Sequence, residues 1–427
     1  MASNHEQKEV NWRAFRSLVI ITAANSLNEK GIQFMLIALG IWMVGTMDFG
    51  VDLQYPLSVL IVLPFVLFSP LAGWVADRWS KTKLLRATVL LQGLVILGVA
   101  AGLFLHSLWI TLFFFSCFCV QAMFFSPGKK GIIKNLVGTE HIGFASGITE
   151  MASLLALLVG QIAALFIVYY LLRSWGPEAG WEAAAWPALC CTGIALWVIY
   201  LAFRLPMFPA ESNRPFEWNL LWRHFGQLRL LGEKRVLLNS EIGIGYFWFI
   251  AGTVLLIVLQ AAEEGNPAAE GFMNVLGQQQ DSALLMMWLS GGSVLGGVIA
   301  SLICGKRVRL WLVPAGGLGM VLGCTLLATA EYGTVLFFAS LFFTGFIASG
   351  YLVPLNALLQ DCADDDKRGD VIAAGNLVDC FLGMLAVGVQ FSLKLLGISP
   401  SGQFAFLAGT SLMVAIYQIC NLKTLHR

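Results

Sequence analysis

Thr22, Asn25, Glu29 and Gln33 are spaced by three, four and four residues, which places them on one face of an α-helix. Ser26 and Lys30 run beside that face. The stretch that holds them, "AANSLNEKGIQFML" at residues 23 to 36, continues an apolar run from "FRSLVIIT" to "IALGIWMVG". A charge at the centre of a bilayer costs roughly 3 kcal/mol on insertion scales. Charged residues at that depth are therefore candidates for binding a polar group or exchanging a proton. Glu29 and Lys30 are neighbours in sequence, so their side chains point about 100° apart. They do not face each other well enough to neutralise one another. Lys30 then calls for a carboxylate from another helix, and Glu150 and Asp379 are the candidates. The competing reading of the stripe is purely structural, as hydrogen bonds between helices.

The elements that must position these residues are legible in the composition. Of 427 residues, 58% are hydrophobic and only 12% charged, against about a quarter charged in soluble domains. This is the composition of a polytopic membrane protein. Twelve apolar segments of spanning length are expected at 15–44, 54–76, 84–105, 108–127, 143–172, 183–204, 237–260, 282–304, 310–329, 334–358, 371–395 and 403–422. With both termini in the cytoplasm, every Lys and Arg except Lys30, Arg173 and Lys394 falls in or beside a cytoplasmic segment. The opposite loop 261–281 carries Glu263, Glu264, Glu270 and Asp281 and no basic residue. A net charge of +1 argues against nucleic acid as a partner.

The long segment 205–236 divides the chain into a six-span half at 1–204 and another at 237–427. "SPLAGWVADRWSKTKLL" in the first is echoed by "SVLGGVIASLICGKRVRL" in the second, with Ser69, Gly73, Asp77 and Lys83 offset by 224 from Ser293, Gly297, Ser301 and Arg307. Pro127 and Gly147 are echoed by Pro354 and Gly375. Parallel six-span repeats place a substrate cavity between halves in one large transporter class. "GWVADRWSKTK" resembles the cytoplasmic loop signature of the major facilitator superfamily, carried here by Gly73, Asp77, Arg78, Lys81 and Lys83. Ser80 stands where a Gly is usual. Gly73 permits close helix approach, and Asp77 at a helix end can cap or pair with a cation. The resemblance implies a cytoplasmic gate at these five residues; a plain basic loop is the alternative.

Four stretches resemble the lysophospholipid transporter family within that superfamily: "SPGKKGIIKNLV", "ASGITEMASLLALLVG", "YFWFIAG" and "VPLNALLQ…RGDVIAAGN". The likeness also covers transporter modules fused to phospholipid acyltransferases. It implies a two-bundle, all-α carrier in a bacterial inner membrane that moves lysophospholipid from the outer to the inner leaflet for reacylation. A separate acyltransferase would then be the partner. Glu29-Lys30 departs from the Asp-Asn usual in that family. The substrate head is expected near Asn25, Asn28, Glu29, Lys30, Gln33, Glu150 and Asp379. Glu150 and Asp379 lie roughly 10 and 12 Å into their spans, one in each half. Glu241, one turn from a span end, reads as interfacial.

The remaining signals are quieter. The five His fall at chain ends or in loops, so no histidine proton relay sits in a span. "GGSVLGG" reads as a helix-packing face rather than a phosphate loop. The nine Cys read as small apolar residues. Neither a metal nor a cofactor is expected, and the absence of a nucleophile-and-base constellation argues against an enzyme. In "PFEWNLLWRHFGQLRLL", Trp218, Leu221, Phe225 and Leu228 share a helical face, as in an interfacial helix on an anionic leaflet. Two other functions fit the pattern: export of amphipathic drugs or metabolites, and a non-transporting partner of a membrane acyltransferase.

Overall fold

The computed structural model describes residues 11–47, 52–138, 141–208, 220–265, 272–304, 309–362 and 368–421. Every regular element among them is a helix. In chain order these are α1 (Trp12–Met47), α2 (Gln54–Arg78), α3 (Lys81–Phe104), α4 (Leu108–Val137), α5 (Ile142–Trp175), α6 (Gly180–Phe203), α7 (Leu220–Leu231), α8 (Arg235–Glu264), α9 (Phe272–Cys304), α10 (Leu312–Thr329), α11 (Val335–Cys362), α12 (Arg368–Leu395) and α13 (Pro400–Cys420). Eleven are long and apolar enough to cross a membrane. The twelfth, α2, is bent by 58° between Gln54–Phe68 and Pro70–Ala76, where Pro70 cannot donate to the helix ladder. The all-α, twelve-span expectation is met, and α7 is the helix expected in the linker.

The span ends differ from expectation in one region. α8 runs to Glu264 and α9 starts at Phe272, so Glu263, Glu264 and Asp281 are helical residues rather than loop residues. Their polar groups are satisfied within the protein. Gln260 donates to Glu264 at 2.7 Å and Tyr332 to Asp281 at 3.1 Å. Burial and the neighbouring Asp281 push the Tyr332 phenol well above its usual range. Gln279 and Ser282 are fully buried. Glu270 lies outside the described residues.

The chain divides into two compact units, Met1–Leu39 with Leu67–Leu220, and Gly40–Val66 with Leu221–Arg427. In the first unit, Phe15, Leu18 and Ile21 of α1 pack with Leu85 and Val89 of α3, Phe125 and Ile132 of α4, and Val198 of α6. The Asn11 backbone N–H bonds the Leu136 carbonyl at 3.0 Å, fixing the start of α1 to the end of α4. Arg86 of α3 closes the C-terminus of α6. Its guanidinium donates to the carbonyls of Ala202, Phe203 and Leu205 at 3.1, 2.9 and 2.9 Å, the orphan acceptors of a helix end.

In the second unit, "GGSVLGG" lies on α9 and packs against α11. A Cβ at Gly292 or Gly296 would strike the carbonyl oxygens of Phe342 and Phe346, so only glycine allows this approach. Gln260 of α8, Gln390 of α12 and Gln403 of α13 form a buried amide cluster, with Gln390 and Gln403 each donating to Gln260 at 2.8 Å. α7 docks on α12. Gln227 donates to Asp370 at 2.9 Å, and the rings of Phe225 and Phe381 lie 6.4 Å apart. Trp218 and the side chain of Leu221, expected on the same face as Phe225, lie outside the described residues.

The α1–α2 connection is fastened within this second unit. Lys394 at the end of α12 donates to Asp52 and to Glu263, each at 2.7 Å. Tyr55 beside it packs edge-on to Phe391 at 4.9 Å and is buried with Leu256 and Val387. Lys394→Met should leave two carboxylates facing each other without their cation. The cluster is a quarter to a third exposed, so the expected loss is about 1 kcal/mol. Adding Glu263→Gln should restore part of it. Thermal unfolding in detergent reads both, and an unchanged midpoint in the single variant would show that the cluster holds nothing together.

Candidate functional site

α1 is a continuous helix, and its polar stripe faces inward as the spacing requires. Thr22 bonds its own helix at the Leu18 carbonyl, 2.8 Å away. Asn25 accepts from Gln92 of α3 at 2.9 Å, and Asn28 donates to the Cys191 carbonyl of α6 at 3.3 Å. Both asparagines are buried, and they tie α1 to its neighbours. Glu29 and Lys30 remain partly exposed. The amides of the stripe thus bond between helices, and its two charges are partly exposed.

Lys30 does not meet a carboxylate among the described residues. Its ammonium donates to Gln33, one turn on along the same helix, at 2.7 Å. The amide oxygen solvates the cation without cancelling its charge. The side chain of Glu150, one expected partner, lies outside the described residues. Asp379, the other, stands beside Glu241 in the second unit. Two groups missed in the sequence sit close to the α1 charges. Cys119 of α4 lies in their field, and so does Lys129 for Glu29. Lys129 stands on the continuous α4 at 9% exposure. Gln121, also on α4, is fully buried and makes no hydrogen bond through either amide atom.

The second unit holds a pair of acids. Glu241 of α8, expected at the interface, is 2% exposed. Its carboxyl lies beside that of Asp379 on α12. No N–H or other donor among the described residues reaches either Glu241 oxygen. Two carboxylates have only acceptors, so a bond between them would need one of them to carry a proton. Gly375, one turn before Asp379, makes the room: a Cβ there would lie 2.6 Å from Glu241 Oε2. That Gly-x-x-x-Asp spacing was the available signal for a large group opposite. Asp379 therefore faces a second acid instead of standing alone.

The gate residues are only partly visible. Gly73 and the Asp77 side chain lie outside the described residues. The three cations of the signature differ in burial. Lys81 is buried, whereas Arg78 and Lys83 are exposed. The Arg78 guanidinium lies 5.2 Å from the centre of the Trp74 ring, a cation–π contact. Ser80 caps α3, accepting from the Lys83 N–H at 3.4 Å.

The comparisons with known proteins agree with this architecture. A model of the Major Facilitator Superfamily matches residues 18–387. The chain is similar to the lysophospholipid transporter LplT of Serratia proteamaculans, 27% identical over 88% of this chain and 87% of that one. It is similar to the protein of that name from an Enterobacter species, 26% identical over 93% and 96%. Among solved structures it resembles a peptide transporter POT with sulfate, at a TM-score of 0.69, 12% identity and 97% and 95% coverage. The nucleoside transporter NupG matches at a TM-score of 0.66 and 14% identity, with 96% and 100% coverage. At such identities the structures speak for the fold alone.

The acid pair makes a clear demand on substitutions. Glu241→Gln supplies an amide donor to Asp379 and should cost under about 1 kcal/mol. Glu241→Ala removes the bond and leaves a hole, at about 1–3 kcal/mol. Thermal midpoints separate them, and equal losses in the two variants would rule out the carboxyl–carboxyl bond.

Proposed function

We propose, from the premise that the chain belongs to the Major Facilitator Superfamily, that this multi-pass membrane transporter carries lysophospholipid. Transport runs from the outer to the inner leaflet of a bacterial inner membrane by alternating access. The two six-span halves, 1–204 and 237–427, exchange access to the substrate, with both termini in the cytoplasm. A separate acyltransferase consumes the delivered lipid.

The observation that carries this reading is the open charge pair in α1. Glu29 and Lys30 are adjacent, partly exposed and surrounded by buried apolar and amide groups. A zwitterionic lysophospholipid head offers the complement, a phosphate for Lys30 and an ammonium for Glu29. Because the head is neutral overall, it enters without adding net charge to an apolar bundle. The Lys30–Gln33 bond can be exchanged for a phosphate contact at small cost, since Gln33 keeps neither a charge nor a stranded ion. The likeness to transporters named for lysophospholipid, over nearly the whole chain, supports the same substrate class.

Uptake of labelled lysophosphatidylethanolamine into proteoliposomes tests the proposal. Single-chain lipid should enter faster than its double-chain counterpart. Equal rates would mean an unselective lipid path, and export of cationic dyes with no lipid uptake would mean a drug exporter. Lys30→Met should lower stability by only about 1 kcal/mol, because it strands an amide and not an ion. Uptake should nevertheless fall at least about tenfold, one lost charge-assisted contact. Glu29→Gln should behave likewise. Wild-type rates in both variants would reduce the stripe to helix-to-helix bonding.

A further inference from the structure

A cavity of about 790 Å³ opens where α2 ends and α3 begins. Arg78 and Lys83 line it, with Trp79, Ala87, Met207 and Phe208. Its wall is built, not incidental. Ser80 Oγ donates to the Phe208 carbonyl at 2.5 Å and Thr82 Oγ1 to the Pro206 carbonyl at 2.8 Å. Phe208 N–H returns a bond to Thr82 Oγ1 at 3.2 Å. These bonds hold residues 206–208 against the first turn of α3. The neighbouring Arg86 is committed to the end of α6. Arg78 and Lys83 are not so committed: among the described residues neither meets a carboxylate, and Arg78 has only the Trp74 ring.

The face of α3 that leaves this cavity is the apolar exterior of the helix. Lys83, Ala87, Leu90, Leu94 and Leu97 follow at spacings of four, three, four and three, and all are exposed, Leu94 by 66%. From Lys83 to Leu97 the helix rises about 21 Å, longer than the roughly 15 Å of one leaflet's hydrocarbon. Trp79 beside them is half exposed, and exposed indole rings favour the membrane interface. Two cations above a leucine track, with an interfacial Trp beside them, match one kind of molecule.

We infer that this cavity holds the headgroup of an anionic diacyl phospholipid, with its phosphodiester between Arg78 and Lys83 and an acyl chain along Leu90, Leu94 and Leu97. The bound lipid is not cargo. It is a fixed annular ligand on the outer surface of the first unit, and the inference is independent of what the protein transports. The cations of the basic signature thereby serve two ends, with Lys81 pointing into the protein and Arg78 and Lys83 pointing to the lipid. The site lies at a helix junction where a superfamily gate is expected, so occupancy couples the lipid composition of that leaflet to the α2–α3 connection.

The test uses the purified, delipidated full-length protein. Native mass spectrometry counts lipid retained from phosphatidylglycerol and, separately, from phosphatidylethanolamine. Phosphatidylglycerol should be retained preferentially by the wild type. Arg78→Gln with Lys83→Gln should abolish that preference. Two basic residues near an anionic group, each worth about fivefold, give a loss of about 25-fold. Both positions are exposed, so the double variant should unfold at the wild-type midpoint without lipid and lose only the stabilisation that phosphatidylglycerol adds. Equal retention of the two lipids by the wild type, or undiminished retention by the double variant, overturns the inference. Complete displacement of phosphatidylglycerol by inorganic phosphate also overturns it, because the site would then read a phosphate and not a lipid.

Discussion

Hydrocarbon cannot solvate an ion or an unbonded amide, so every polar group within these helices must be answered by another part of the protein. The answers differ in kind. Lys394 takes two carboxylates at 2.7 Å each and carries more than enough opposite charge. The three glutamines at 260, 390 and 403 answer one another. Glu241 and Asp379 lie beside each other, and two acids can bond only by sharing a proton. Lys30 takes a neutral amide. These four solutions fix much of the internal order of each unit. The glutamine cluster joins three helices, the acid pair joins α8 to α12, and Lys394 fastens the α1–α2 connection to both.

The gross architecture was legible because hydropathy and glycine are local signals. A run of twenty apolar residues declares a span without reference to any neighbour, and "GGSVLGG" declares a close helix contact by itself. The polar stripe of α1 was legible for the same reason, since three-and-four spacing is a property of one helix. What was not legible depends on partners far away in the chain. Lys394 and Asp52 are separated by 342 positions, and Glu241 and Asp379 by well over a hundred. Hydropathy therefore placed Glu241 at an interface and Glu263 and Asp281 in a loop, because an acid near a span end looks solvated until its partner is known. The span reading ended at Pro127, whereas α4 continues through Lys129 to Val137 without a break.

The same logic separates the cations that can change partners from those that cannot. Arg86 satisfies three carbonyls at a helix end, and losing it would orphan them all. Lys394 would strand two acids. Lys30 leaves behind only an amide that can turn to another donor. Ease of exchange is thus written into the partner, not into the lysine. A residue that must release and rebind a ligand in a transport cycle needs the third kind of partner.

Net charge then sorts the two lipid contacts proposed for this chain. Glu29 and Lys30 sum to zero, and a zwitterionic head keeps that sum at zero. At the α2–α3 junction the balance is reversed. Arg78 and Lys83 sit at the rim with no carboxylate among the described residues, and there an anion lowers the local charge while a zwitterion leaves it unchanged. The two places therefore favour different headgroups for one electrostatic reason. A membrane that contains both lipids can occupy the rim without competing for the stripe on α1.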